Sequence, residues 1–213
     1  EETHSHGRFH RYQYENENTP DGVSPRPIPG QKGGRFLASG NEHHPTGQLF
    51  EDPDNRVAQM DRRLAKLDAV RAWLDARETS HQTFMGPEDA DYGIVTWGSH
   101  QGTVREAVER LNAQGQPVRG LGVSDIAPFP EQEVRAFLES VDACLVVEMN
   151  ATAQFRGVVQ KELEQVGTRM DSLLKYNGNP FEPAEIVDGF EEMTSGGGEF
   201  DSQTTRFVPA TGD

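Results

Sequence analysis

The chain has 213 residues, only 34% of them apolar, and a mean hydropathy of −0.72, so a packed core is confined to part of its length. Its 35 Asp and Glu outweigh 20 Lys and Arg, and a net charge of −15 repels nucleic-acid phosphates and anionic membranes, so neither is expected as a partner. The lone Cys144 excludes an internal disulfide, a four-cysteine zinc site and a self-contained iron–sulfur cluster, and no apolar run approaches the roughly 20 residues of a membrane span.

Arginine outnumbers lysine 16 to 4. An acidic, lysine-poor surface suits a halophilic protein, because salt screens the repulsion among carboxylates; an acidic protein from a GC-rich genome has the same composition. One thiol and no visible signal peptide fit a cytoplasmic location. The chain opens on "EETHSH" rather than Met, which suggests a processed start or a piece of something longer.

Residues 1–53 are rich in Gly, Pro, Asn and His and read as an extended linker or strap, with one short strand in "GRFHRYQY". So long a structureless segment is expected to lie across a neighbouring domain or subunit. From Asp52 the pattern changes. Val57, Met60, Leu64, Leu67, Val70 and Leu74 recur at helical spacing behind the start signal "EDPDN", which predicts a connecting helix over 54–77, then a loop to residue 91. Residues 92–193 alternate strand and helix: "YGIVTWG", "TVREAVERLNAQG", "VRGLGVS", "PEQEVRAFLESV", "ACLVVEMN", "AQFRGVVQKELEQVG", "MDSLLKY", "EPAEIVDGFEEM". Continuous apolar strands between helices imply an α/β domain with a mostly parallel sheet covered on both faces. Residues 194–213 read as a flexible tail.

The candidate sites fall mainly at strand ends, where open α/β sheets bind ligands. Gly98, Ser99, His100 and Gly102 join the first strand to the first helix. They suit an anion or cofactor site, or simply a tight turn that needs glycine. GxGxxG and the P-loop lysine are both absent. Glu148 and Asn150 end the third strand, where they could serve as acid and base or cap the following helix. His4, His6, His10, His43 and His44 have the chemistry zinc favours but lack a completing trio, and read as incidental. Trp73 and Trp97 read as packing residues, and Cys144 as a small core residue. No complete catalytic constellation is present, which leaves three readings open: part of a larger enzyme, a free-standing interaction module, or a small nucleotide-binding enzyme.

"YQYENENTPDGVSPRPIPG", "SGNEHHPTG", "NRVAQMDRRLAKL", "YGIVTWGSHQGTVREAVERLNAQGQPVRGL", "VVEMNATAQF" and "YNGNPFEPAEIV", in that order, resemble the C-terminal portion of the α subunit of 2-oxoacid:ferredoxin oxidoreductases of the 2-oxoglutarate or pyruvate type. The resemblance runs from about residue 8 to 193. It implies a transketolase C-terminal-like domain at 92–193, and a whole enzyme that decarboxylates a 2-oxoacid oxidatively with coenzyme A and passes electrons to ferredoxin. Thiamine diphosphate, Mg and an iron–sulfur cluster would belong to that whole enzyme and not to this chain alone, which by itself would be inactive. Its implied partners are the β subunit, the rest of the α subunit and, through the whole enzyme, ferredoxin. In that setting Asp21 and Arg26 would stand on a proline-stiffened loop near the oxoacid carboxylate, or on a strap whose Arg26 pairs with another subunit.

Overall fold

The computed structural model describes residues 9–14, 21–77, 79–195 and 205–208. The chain divides into two compact units, residues 1–78 and 79–213.

The first unit is organised around α1 (Pro53–Asp75), which opens on Asp52: its carboxylate accepts the Asn55 N–H at 2.8 Å, and Pro53 follows in the first turn. The chain before α1 is irregular. It lies on the helix through polar side chains, since Gln59 Nε2 donates to the Tyr12 carbonyl (3.1 Å), Tyr14 Oη to Asn55 Oδ1 (3.0 Å) and Arg62 Nη1 to Ser24 Oγ (3.0 Å). Asn55 and Gln59 are the buried residues of the helix. The apolar stripe that predicted it is turned outward, with Val57 59% exposed, Leu64 54% and Leu67 42%; Trp73, outside that stripe, is 57% exposed. Trp73 is therefore not the packing residue expected of it; it lies under the Arg77 guanidinium, 4.9 Å from its ring centroid.

The strand expected in "GRFHRYQY" is not formed by residues 9–14, which turn at Arg11–Tyr12. Phe9 N donates to Arg35 O and Tyr12 N to Pro45 O, so two separate loops take the bonds a ladder would have used. Gly7 and Arg8 lie outside the described residues.

The second unit contains β1 (Thr83–Met85), β2 (Tyr92–Trp97), a 3₁₀ turn (Gly98–His100), α2 (Gln101–Ala113), β3 (Val118–Val123), α3 (Glu131–Glu139), β4 (Ala143–Glu148), α4 (Gln154–Glu162), β5 (Arg169–Leu174), α5 (Pro183–Ser195) and β6 (Thr205–Phe207). They form one sheet in the order β1-β3-β2-β4-β5-β6, parallel throughout except for β1. All six residues of β4 are buried, as a central strand covered on both faces requires. On one face Ile94, Leu145 and Leu173 pack with Val104 and Leu111 of α2 and Phe190 of α5. On the other, Val95, Leu121 and Val146 pack with Phe137 of α3 and Phe155 of α4. The expected class, a mostly parallel α/β sheet with helices on both faces, is the observed one.

Two strands differ from expectation. β1 lies in the segment read as a loop, and β6 in the segment read as a flexible tail, whose first residues also continue α5 to Ser195. Residues 196–204 and 209–213 lie outside the described residues. No helix among the described residues is long and apolar enough to cross a membrane.

Candidate functional site

The chain leaves β2 through α2 to reach β3 on one side, then returns through α3 to β4 on the other. Strand order thus reverses between β2 and β4, and in open α/β sheets the crevice beyond the carboxyl ends of such a pair is the usual ligand position. β2 and β4 are in register up to Thr96↔Val147, and Thr96 Oγ1 donates to the Val147 carbonyl at 2.9 Å. Gly98, Ser99, His100 and Gly102 follow β2, while Glu148 and Asn150 end β4. These strand-end candidates therefore lie along one edge of the sheet.

Their chemistry is unequal. Glu148 is fully buried: its Oε2 accepts Asn150 Nδ2 (2.6 Å) and the Phe155 N–H (2.7 Å), and its Oε1 the Arg156 N–H (3.2 Å). Asn150 Oδ1 accepts the Thr152 and Gln154 N–H groups at 3.0 and 3.2 Å. Both side chains thus close the amino end of α4, and the carboxylate offsets the positive pole of that helix. α2 begins with no such side-chain cap. Gly98 opens the 3₁₀ turn that precedes α2 at φ +65°, a left-handed angle that favours glycine although a Cβ there would meet nothing. The His100 ring stands edge-on to Phe181 at 5.9 Å, and its enclosed Nδ1 makes no hydrogen bond among the described residues.

Two polar centres escaped the sequence reading. Lys175, just past β5 and buried, donates to Glu185 Oε1 (2.6 Å), Glu185 Oε2 (2.8 Å) and the Pro180 carbonyl (2.9 Å). One of only four lysines, placed at a strand end, was the available signal. Asp171, fully buried within β5, is held by Arg169 and Arg206; a charge in the middle of "RMDSLL" was the signal there.

Asp21 and Arg26 belong to the first unit. Asp21 Oδ1 accepts the Val23 N–H at 3.0 Å, which tightens the turn. Gly22 sits at φ +69° with its Cα so near the Arg62 carbonyl that a Cβ would collide with it. Arg26 and Arg35 border a cleft of about 800 Å³ walled by Pro27, Ile28, Pro29 and Phe36. Neither guanidinium makes an ion pair or side-chain hydrogen bond among the described residues.

Among the described residues no three His, Cys, Asp or Glu side chains converge on a metal position. His43 stacks on Tyr12 with centroids 4.1 Å apart and bonds the Ser39 carbonyl through Nε2 (2.7 Å), while His44 Nδ1 meets Thr46 Oγ1 at 2.9 Å. His10 joins no such cluster among the described residues, and His4 and His6 lie outside them. Cys144 is fully enclosed in β4, and burial raises its thiol far above the ordinary range, so it stays a protonated core residue. One thiol does not meet the ligand demand of an iron–sulfur cluster. Trp97, at the site edge, packs 6.1 Å from Phe155 and remains partly exposed.

Residues 90–186 match the family described as pyruvate:ferredoxin oxidoreductase core domain II. The alpha subunit of 2-oxoacid:ferredoxin oxidoreductase 1 from Sulfurisphaera tokodaii is 30% identical over 179 residues, and a 2-oxoacid:ferredoxin oxidoreductase alpha subunit from Sulfolobus sp is 31% identical over the same length. Each match covers 84% of this chain and 27% of the relative, so the chain spans about a quarter of the length of these proteins. A solved 2-oxoglutarate:ferredoxin oxidoreductase from Magnetococcus marinus, with 2-oxoglutarate, coenzyme A and succinyl-CoA bound, superposes with a TM-score of 0.62 at 30% identity, over 88% of this chain and 31% of that one. By sequence and by fold together, the chain is a homologue of the alpha subunits of the 2-oxoacid:ferredoxin oxidoreductases.

Proposed function

We propose that the chain works as part of a thiamine diphosphate-dependent 2-oxoacid:ferredoxin oxidoreductase, which converts 2-oxoglutarate or pyruvate to an acyl-CoA while reducing ferredoxin. The observation that carries this reading is one match to a solved 2-oxoglutarate:ferredoxin oxidoreductase that runs through 88% of the chain, and so through both units. Among the described residues no set of His, Cys, Asp or Glu side chains converges on a metal position. The resemblance to the α subunits assigns the cofactors of such an enzyme to other polypeptide, and the contribution of this chain is then structural and positional.

Two features suit that role. The outward apolar stripe on α1 is the kind of surface another domain or the β subunit covers. The loop over residues 21–30 presents Arg26, without an ion pair among the described residues, on the cleft it shares with Arg35, from a backbone stiffened by Pro25, Pro27 and Pro29. Proline lowers the entropy lost when such a loop is ordered, and a guanidinium fork fits a carboxylate.

Arg26→Ala in the complete enzyme tests the loop. A rise in KM for the oxoacid with unchanged subunit association supports substrate contact; unchanged kinetics with weakened association makes the loop a strap. Oxoacid-dependent ferredoxin reduction by the chain alone would refute the reading as a whole. A second reading rests on Gly98 and the uncapped start of α2, which suit a phosphate-bearing ligand. A thermal-shift series with nucleotides and coenzyme A tests it, and an absence of any shift removes it.

A further inference from the structure

β6 holds to the sheet differently from the other strands. It pairs with β5 over three residues, Ser172↔Thr205, Leu173↔Arg206 and Leu174↔Phe207, and Val208 N donates onward to the Leu174 carbonyl at 2.9 Å. Thr205 and Phe207 are exposed, and only Val208 reaches the apolar core. The deep contact is ionic. Arg206 Nη1 lies 2.7 Å from Oδ2 of Asp171, whose side chain is 0% exposed, and Arg206 Nε lies 3.6 Å from Glu192. Arg169 grips the same carboxylate from within β5, Nε to Oδ1 at 3.0 Å and Nη2 to Oδ2 at 2.6 Å. Phe207 sets its ring edge against Tyr176, centroids 5.8 Å apart at 89°.

The geometry points to the outer edge of β5 as a strand-addition site selective for an extended peptide reading arginine–aromatic–aliphatic, with residues 205–208 as its tethered occupant. Each element of the selectivity is on the β5 side. Asp171 is a buried carboxylate that a second guanidinium completes, Tyr176 offers a ring to an aromatic, and the end of the core beside α5 accepts a branched aliphatic. Main-chain bonds to β5 supply the sequence-independent part of the affinity, as in strand addition elsewhere. A three-residue ladder that buries no large apolar side chain belongs to the low-stability end of a fold, so this strand opens without the sheet unfolding. Its occupancy depends instead on its covalent attachment to the same chain, which makes the pairing intramolecular and keeps its effective concentration high.

The test uses the full chain and a fluorescent peptide, Thr-Thr-Arg-Phe-Val-Pro-Ala, copied from residues 204–210. Fluorescence anisotropy is expected to show saturable binding to the Arg206→Ala chain, at least about tenfold weaker to the unaltered chain whose own strand competes, and at least about tenfold weaker when alanine replaces the peptide's arginine. Binding no better to the variant than to the unaltered chain overturns the inference, as does indifference to the peptide's arginine. Hydrogen exchange on the unaltered chain guards against a misfolded variant. The Val208 amide is expected to exchange by local opening, ahead of the β4 amides, and exchange in step with β4 would make β6 an integral strand.

Discussion

The two units of this chain are held together by opposite means. In residues 79–213 two apolar layers enclose the sheet, and the polar side chains that enter it, Glu148, Asp171 and Lys175, are each met by charged or hydrogen-bonding partners. In residues 1–78 the helix buries Asn55 and Gln59 under a polar loop and leaves Leu64 and Leu67 in solvent. Burial of apolar area is the dominant stabilising term in folding, whereas an exchanged hydrogen bond contributes only about 1 kcal/mol net. The sheet unit therefore carries its own apolar core, whereas the described residues of the helix-and-loop unit bury little apolar area.

Substitutions in each unit sharpen that contrast. Leu145→Ala, at the centre of β4, is expected to cost about 2–5 kcal/mol in chemical denaturation, because it removes fully enclosed volume from a packed core. Gly22→Ala comes next. Its left-handed φ and the collision of a Cβ with the Arg62 carbonyl are expected to cost on the order of 1–3 kcal/mol, felt only in the first unit. Limited proteolysis within residues 21–30 should rise while the unfolding transition of the sheet stays where it was.

Acid gives a smaller and reversible version of the same separation. Arg63, which forks onto the Glu42 carboxylate at 2.7 and 3.1 Å, and then Arg56 at 2.7 Å hold its pKa at about 2, against an ordinary 4.5. Because the folded value lies below the unfolded one, the contribution is complete above pH 4.5 and is lost as pH falls through the window down to about 2. Hydrogen exchange in residues 39–63 should accelerate across that window before the sheet responds, and Glu42→Gln should flatten the dependence. High salt should weaken it as well, since both arginines are substantially exposed. The smallest effect is expected from Leu64→Gln: a change within about 0.5 kcal/mol in the isolated chain, since that side chain is 54% exposed. The same substitution should weaken assembly of the complete enzyme, measured by size-exclusion chromatography. A large destabilisation of the isolated chain would show the stripe to be covered already.

Some of this was legible in the sequence and some was not, for definite reasons. β2, β4 and α2 announce themselves because their apolar residues follow the period of the element and its burial, and Glu148 and Asn150 could be placed at a strand end from that alone. β1 and β6 could not be read: three residues carry no periodicity, and what makes them strands is a partner elsewhere in the chain. The Asp171–Arg206 pair spans 35 residues, and nothing local to either side chain announces the other. For α1 the period gave the helix but not its covered face, because an apolar stripe states which face needs a cover and not whether this chain supplies it. The Glu148 carboxylate was legible as a strand-end residue with capping of the next helix among its readings, and the Phe155 and Arg156 amides realise that cap.

The most direct measurement is hydrogen exchange on this chain alone and after assembly with the remaining polypeptide of the oxidoreductase. The account predicts that α1 and residues 21–36 gain protection on assembly while β2, β4 and β5, already closed, do not change. Protection in α1 that is full in the chain alone, or unaltered by assembly, would contradict it.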